Sequence, residues 1–98
     1  MLLSTRSFIG GARLGRFNAT MPFARLIVSA GKASLHCLGT YELTPKEAMC
    51  EQYGSLPLIS WGVRFHHIRA EYPDPFIFWC FGRKRVLETL RKAGFEIR

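Results

Sequence analysis

Residues 61–94 read WGVRFHHIRAEYPDPFIFWCFGRKRVLETLRKAG, and the architecture of the chain can be inferred outward from them. Trp61–Ile68 alternates in a way that is typical of a strand with one buried face. Phe76–Phe81 is apolar on both faces and predicts a well-covered strand. Arg83–Ala93 repeats its apolar residues at helical spacing, and Gly94 suits the left-handed position after a helix. The segment therefore predicts antiparallel sheet closed by one helix.

The chain before this segment predicts further short strands separated by turn residues. Phe23–Ser29 and Ala33–Leu38 flank the turn Ala30-Gly31-Lys32 and predict a hairpin. Gly10-Gly11 interrupts an earlier strand pattern, which indicates a bulge or a turn. Thr44–Glu47 has N-cap features, but no periodic apolar pattern follows, so we expect a single turn leading into a strand. The remaining predictions are strands at Ser7–Ile9, Ala12–Phe17 and Tyr41–Thr44, and a loop at Gly54–Ser60.

The predicted fold class is mainly β with one C-terminal α-helix, with about six or seven short strands in an antiparallel sheet. A helix that follows antiparallel strands is expected to cover an open end or seam of a curled sheet. A chain of 98 residues has the size of one domain, and we expect residues 1–98 to form it. Met1–Thr20 contains Arg and Ser but no acid. It is interpreted as a first strand rather than as a presequence-like start.

The net charge of +7 is spread unevenly along the chain. Such an excess favours acidic partners, namely nucleic acid, anionic lipid or acidic protein. The cations are dispersed rather than packed into one block, so a basic rim on a soluble domain is the simpler interpretation. The first acid is Glu42, and the cations before it are Arg6, Arg13, Arg16, Arg25 and Lys32.

The sequence contains no recognisable catalytic, metal or cofactor motif. Cys37, Cys50 and Cys80 form no Cys-x-x-Cys pair, and we expect them to be buried, reduced thiols of a cytoplasmic protein. His66 and His67 are adjacent in a predicted strand, so they should point to opposite faces and ligate no common metal. We therefore expect no enzyme activity, no metal and no cofactor.

From Asn18-Ala19-Thr20-Met21-Pro22 onward, short motifs over most of residues 7–97 resemble bacterial pleckstrin-homology-like (PH-like) domains. That resemblance implies a seven-stranded, strongly bent sheet capped by a C-terminal helix. It also implies a binding or scaffolding module, in which the gap between a sheet edge and the helix can accept an added strand. The matching pieces are Pro22-Phe23-Ala24-Arg25-Leu26, Thr44-Pro45-Lys46-Glu47, Gly62-Val63-Arg64-Phe65, Phe76-Ile77-Phe78-Trp79 and the helix ending in Gly94-Phe95.

Phosphoinositide-binding members of that family place basic residues around the loop between their first two strands, ending in a basic-x-Arg triplet. Here Arg13 and Arg16 precede the expected loop and Arg25 follows it. The triplet reads Phe23-Ala24-Arg25, so its first basic residue is missing. This departure counts against recognition of inositol phosphates.

The sequence thus predicts a non-catalytic binding module whose partner is a protein or peptide, with self-association through an exposed strand edge as a further expectation. The alternative is electrostatic binding of nucleic acid or anionic membrane through basic residues, and an unrecognised enzyme is a third interpretation. The predicted anion or partner contacts are Arg13, Arg16, Arg25, Arg83, Lys84, Arg91 and Lys92.

Overall fold

The computed structural model describes residues 5–53 and 62–98. Trp61 and the predicted loop Gly54–Ser60 lie outside the described residues, as do residues 1–4. The described elements are β1 (Arg6–Leu14), β2 (Phe17–Ser29), β3 (Lys32–His36), β4 (Thr40–Leu43), β5 (Ala48–Tyr53), β6 (Gly62–His67), β7 (Phe76–Trp79) and α1 (Arg83–Lys92).

The strands pair in the order β4-β3-β2-β1-β7-β6-β5, and every paired neighbour is antiparallel. The sheet curls into a half-barrel, and α1 packs its apolar side against the core inside it. The predicted fold class, mainly β with one C-terminal helix, is therefore confirmed. Within the described residues, no helix has the length and apolar character needed to cross a membrane.

β7 lies between β1 and β6, which explains why its sequence is apolar on both faces. Phe76 and Phe78 are buried in the core, and Ile77 on the opposite face is also only 1% exposed. The cross-strand neighbours of Ile77 are Arg13 and Arg64. Long arginine stems cover apolar surface, so an apolar residue is tolerated on the outer side of this strand.

The predicted irregularity at Gly10-Gly11 is present, but the extra residues belong to β2 rather than to β1. Gly10 pairs with Ala24 and Ala12 pairs with Ala19, so Gly11 alone lies opposite residues 20–23, which form the bulge in β2. A Cβ atom on Gly10 would overlap the carbonyl oxygen of Trp79 on β7. Glycine is therefore needed here because β7 approaches the backbone of β1 too closely for any side chain.

The predicted strand Ala12–Phe17 is wrong at its end, because Gly15 and Arg16 form a tight turn between β1 and β2. Gly15 has φ +63°, a left-handed conformation that glycine adopts at little cost. Its N–H donates to the carbonyl oxygen of Pro75 at 2.9 Å, which joins this turn to the loop between β6 and β7. β2 consequently begins at Phe17, well before the predicted start at Phe23.

The helix ends as predicted, with Gly94 at φ +109° and Phe95 folded back. Gly94 N–H donates to the Arg91 carbonyl oxygen and Phe95 N–H to that of Leu90, both at 3.0 Å. This pair of bonds is a Schellman motif, which satisfies carbonyl groups that the helix leaves free. The Phe95 ring is buried and makes an edge contact with Phe65, with centroids 6.3 Å apart.

Residues beyond the helix cap bind the end of α1 to both halves of the sheet. The carbonyl oxygen of Ala93 accepts a hydrogen bond from Gly31 N–H, in the turn between β2 and β3, at 3.0 Å. Cys50 on β5 donates its N–H to the Glu96 carbonyl oxygen and accepts one from Arg98 N–H, both at 2.8 Å. Glu96–Arg98 therefore occupies the outer edge of β5 as a short parallel segment.

The three cysteines are free and buried, as predicted. Burial raises the pKa of the Cys50 thiol to about 12 and also raises the pKa values of Cys37 and Cys80. The neutral thiol is thus favoured in the folded state, whereas a thiol of the unfolded chain ionises at an ordinary pKa near 9.

We expect the free energy of unfolding to fall as the pH rises from about 9 to about 12, because the unfolded chain binds fewer protons there than the folded one. Cys50 alone contributes a slope of up to roughly 1.4 kcal/mol per pH unit. Urea unfolding of the wild type and of Cys50→Ala across this range measures it. The variant should show the shallower slope, and parallel curves would contradict the prediction.

Candidate binding surface

The structure divides the predicted basic contacts between the β1–β2 hairpin and the two ends of the helix. Arg13 on β1 pairs with Asn18 on β2, Arg16 occupies the turn, and Arg25 lies within β2 opposite His36. Arg25 therefore does not follow a loop, contrary to the sequence expectation, because the β1–β2 loop is the turn at Gly15-Arg16.

The basic residues of α1 do not converge on one spot. Arg83 and Lys84 lie in its first turn, about 12 Å along the axis from Arg91 and Lys92 in its last turn. Lys92 instead lines a polar cavity of about 320 Å³ together with Arg6 and Arg85. Sequence reasoning missed Arg6 as a member of this group, because only the packing of β1 beside the helix brings it there.

None of the predicted basic contacts forms an ion pair within the described residues. The ion pairs seen there engage Lys32, Arg64, His66 and Arg69 instead. The fixed positive charges of the β1–β2 hairpin and of the helix ends therefore face solvent without a carboxylate partner in the described part of the chain.

The most distinctive surface is apolar and lies beside the β1–β2 turn. Two cavities, of about 440 and 370 Å³, share Phe17, Cys37 and Leu38 as lining residues. One extends toward Tyr41 and Tyr72, and the other extends along β2 toward Phe23. We call these two joined cavities the Phe17–Leu38 groove.

Three large apolar side chains of the groove are exposed to solvent. Leu38 is 89% exposed, Phe23 is 72% and Phe17 is 41%. Leu38 also has φ +55°, a left-handed conformation that costs a residue with a Cβ about 1–2 kcal/mol. An exposed leucine held in an unfavourable conformation makes the groove the candidate interaction surface.

Sequence reasoning missed the groove because Leu38 was assigned to the strand Ala33–Leu38. β3 ends at His36, and residues 37–39 form a tight turn in which Cys37 N–H donates to the Gly39 carbonyl oxygen at 2.9 Å. The Leu38-Gly39 pair was the signal that could have indicated this turn, since glycine commonly supplies left-handed conformations in turns.

The early end of β3 leaves one edge of β2 without a partner strand. Pairing of β2 with β3 begins at Arg25 opposite His36. Within the described residues, Phe17, Asn18 and Ala19 therefore pair only with β1, and their other edge borders the groove. In an antiparallel strand the N–H and C=O groups of alternate residues point to the same edge, so main-chain groups are directed toward the groove.

The wall of the groove opposite β2 belongs to the loop between β6 and β7, which is fixed by aromatic and polar contacts. The Tyr72 ring meets Tyr41 edge to face, with centroids 5.3 Å apart, and its hydroxyl accepts Glu42 N–H at 3.1 Å. The Arg69 guanidinium lies over the Tyr72 ring, 4.3 Å from its centroid. The groove is consequently preformed on this side.

His67 secures the same loop from inside. Its Nδ1 accepts Arg69 N–H at 3.1 Å, which requires the proton to be on Nε2, and Nε2–H then donates to the Pro73 carbonyl oxygen at 2.8 Å. His66 points the other way and pairs with Glu51 at 2.8 Å, a hydrogen bond that lowers the pKa of that carboxyl group. The two histidines diverge, as predicted.

No family model, curated protein or solved structure matches this chain. The site must therefore be interpreted from its own geometry. In the described ranges, no group of three or more His, Cys, Asp and Glu side chains is placed to hold a metal ion.

Both terminal strands of the sheet already have hydrogen-bonding partners beyond the sheet itself. Tyr72 accepts a main-chain N–H of β4, and Glu96–Arg98 bonds to β5 at Cys50. In the sequence-based expectation, an added strand enters between a sheet edge and the helix. At the β5 edge beside Cys50, the position of an added strand is already occupied by Glu96–Arg98. The edge of β2 at the groove is therefore more open to an added strand than the edge of β5.

Proposed function

We propose that this chain is a non-catalytic binding module of PH-like type, and that it holds a protein or peptide in the Phe17–Leu38 groove. The observation that carries this proposal is the exposure of Phe17, Phe23 and Leu38 around one preformed groove. Exposed apolar surface of this kind is uncommon on soluble monomers and typically marks an interaction site. The strand order and the C-terminal helix support the PH-like assignment.

Electrostatic binding of nucleic acid or of an anionic membrane is the second candidate. The observation that favours it is the set of basic residues on the hairpin and helix that have no ion-pair partner in the described part of the chain, together with the cavity lined by Arg6, Arg85 and Lys92. Glu88 also lines that cavity and opposes an anion there. The apolar groove is the stronger candidate site, because binding through charge alone would not explain why Leu38 is exposed.

A site-specific crosslinking experiment tests the proposed function. A photoreactive benzoylphenylalanine placed at position 38 should crosslink to a bound polypeptide in an extract of cells that express the protein. The same group at position 68 should not, although Ile68 is similarly exposed at 82%, because Ile68 does not line the groove.

The proposal would be supported by a polypeptide that crosslinks only to position 38. Excess protein without the photoreactive residue should compete for this polypeptide and abolish the crosslink. Absence of any crosslink, together with salt-sensitive retention of RNA or of acidic vesicles by the purified chain, would overturn it in favour of the electrostatic alternative.

A further inference from the structure

We infer that the occupant of the groove is an extended segment of another protein, rich in acidic and apolar residues, that pairs as an added strand with the open edge of β2. This inference rests on the proposed function and goes beyond it by assigning the chemistry and the main-chain geometry of the partner. The pairing region is centred on residues 17–19, where β2 is bonded to β1 on one side and, among the described residues, to no strand on the other.

Main-chain pairing follows from the position of the groove along an uncovered strand edge. Asn18, Ala19 and Thr20 line the cavity beside β2. Their strand contributes alternate N–H and C=O groups to the groove side, and these groups gain most from a partner that supplies a complementary strand. Regular pairing of β2 with β1 is interrupted after Ala19, and Pro22 lacks an N–H, so the added strand pairs with the part of β2 before this interruption.

The apolar lining determines which side chains the added strand must carry. Leu38 lines both cavities of the groove. Phe17 and Phe23, which both lie on β2, also line the groove. Side chains on one face of an extended strand recur at every second residue. A segment with apolar residues at alternate positions would therefore place them against this lining.

Charge complementarity determines the other positions of the segment. Arg16 precedes Phe17 in the turn, Arg13 pairs with the groove residue Asn18, and Arg25 begins the region where β3 pairs with β2. Arg13, Arg16 and Arg25 form no ion pair within the described residues. Asp or Glu side chains on the partner would satisfy them and would speed the encounter with a chain of net charge +7.

A second copy of this chain is a poorer occupant of the same edge. Each copy carries a net charge of +7, so two copies held edge to edge would repel each other. Like charges placed together in this way oppose association. The observations therefore favour an acidic partner over self-association at this edge.

Selection from a library of random extended peptides, with the purified full-length chain as bait, tests the inference. Enriched peptides should combine Asp or Glu with Phe, Leu or Ile at alternate positions. Affinity of a selected peptide should fall about tenfold or more for Leu38→Ser and for Arg16→Glu, and should stay within about twofold for the matched surface variant Ile68→Ser. A version of the peptide with Asn and Gln in place of its acids should also bind about tenfold more weakly.

Amide hydrogen exchange of the bound complex tests the pairing itself. Backbone amides of residues 17–19 that face the groove should become protected when a selected peptide is present. Leu38 is exposed, so its serine variant should unfold at the same temperature as the wild type and remain interpretable.

The outcomes separate this inference from the proposed function. Selected peptides that bind without protecting those amides, that do not respond to Leu38→Ser, or that carry no acids would overturn the inference while leaving a peptide-binding module in place. Concentration-dependent dimerisation that protects the same amides would overturn it in favour of a second copy. Failure to enrich any peptide, with RNA or acidic vesicles binding instead, would overturn both.

Discussion

A Leu90→Asp variant is expected to be unfolded at room temperature. Leu90 is completely buried in the core between α1 and the sheet, and its carbonyl oxygen also accepts the Phe95 N–H that closes the helix cap. Removing the apolar side chain and burying a carboxylate costs on the order of 5 kcal/mol or more. That loss is comparable with the whole stability of many small domains, about 5–15 kcal/mol.

Circular dichroism and the dispersion of amide signals in an NMR spectrum measure this effect. The matched control is Lys84→Asp, which introduces the same side chain at an exposed position in the first turn of α1. A negative charge there interacts favourably with the positive end of the helix, so the control should be as stable as the wild type. A folded Leu90→Asp protein with an unchanged melting temperature would show that α1 does not close the core.

Replacing Gly10 by alanine should produce the second largest loss. The new methyl group would overlap the main chain of Trp79, so β1 and β7 would have to separate at the centre of the sheet. Overpacking of this kind costs about 3 kcal/mol, which corresponds to a fall in melting temperature of more than about 10 °C for a domain of this size. Thermal unfolding followed by circular dichroism measures it.

Gly82→Ala is the matched control for this substitution. A Cβ on Gly82, just before α1, meets no atom within 4 Å, and Gly82 has an ordinary φ of −111°. Its melting temperature should change by only a few degrees. Equal losses in the two variants would mean that glycine flexibility, rather than the close approach of β7, explains the requirement at Gly10.

The parts of the fold that sequence could predict are those in which a local pattern and the tertiary structure agree. The helix and its Gly94-Phe95 ending follow from periodicity and cap chemistry, and Gly10-Gly11 indicates the place where the register between β1 and β2 shifts. The first half of β2 was missed because Asn18, Ala19 and Thr20 are not strong strand formers as a group. The pairing of Asn18 and Ala19 with β1, which is not visible in the local sequence, makes this segment a strand.

The candidate site was harder to predict because it depends on where elements stop. Phe23 and Leu38 look like core residues in the sequence, and their exposure arises only because β3 ends at His36. The basic residues were identifiable from composition, but their grouping was not. The basic residues of α1 lie at its two opposite ends. Arg6, near the start of the chain, instead lines one cavity with Arg85 and Lys92.

The pairing of Glu96–Arg98 with Cys50 has a consequence for how the protein forms during translation. The main-chain bonds of Cys50 join β5 to residues that are synthesised much later. Until residue 98 has left the ribosome, that stretch of β5 carries main-chain groups without their final partner, as does Gly31 until Ala93 arrives. Contacts of such long sequence separation slow folding, because a large loop must close before they form. The nascent sheet therefore has a vulnerable interval in which other strands can pair with it, and a chaperone would be most useful then.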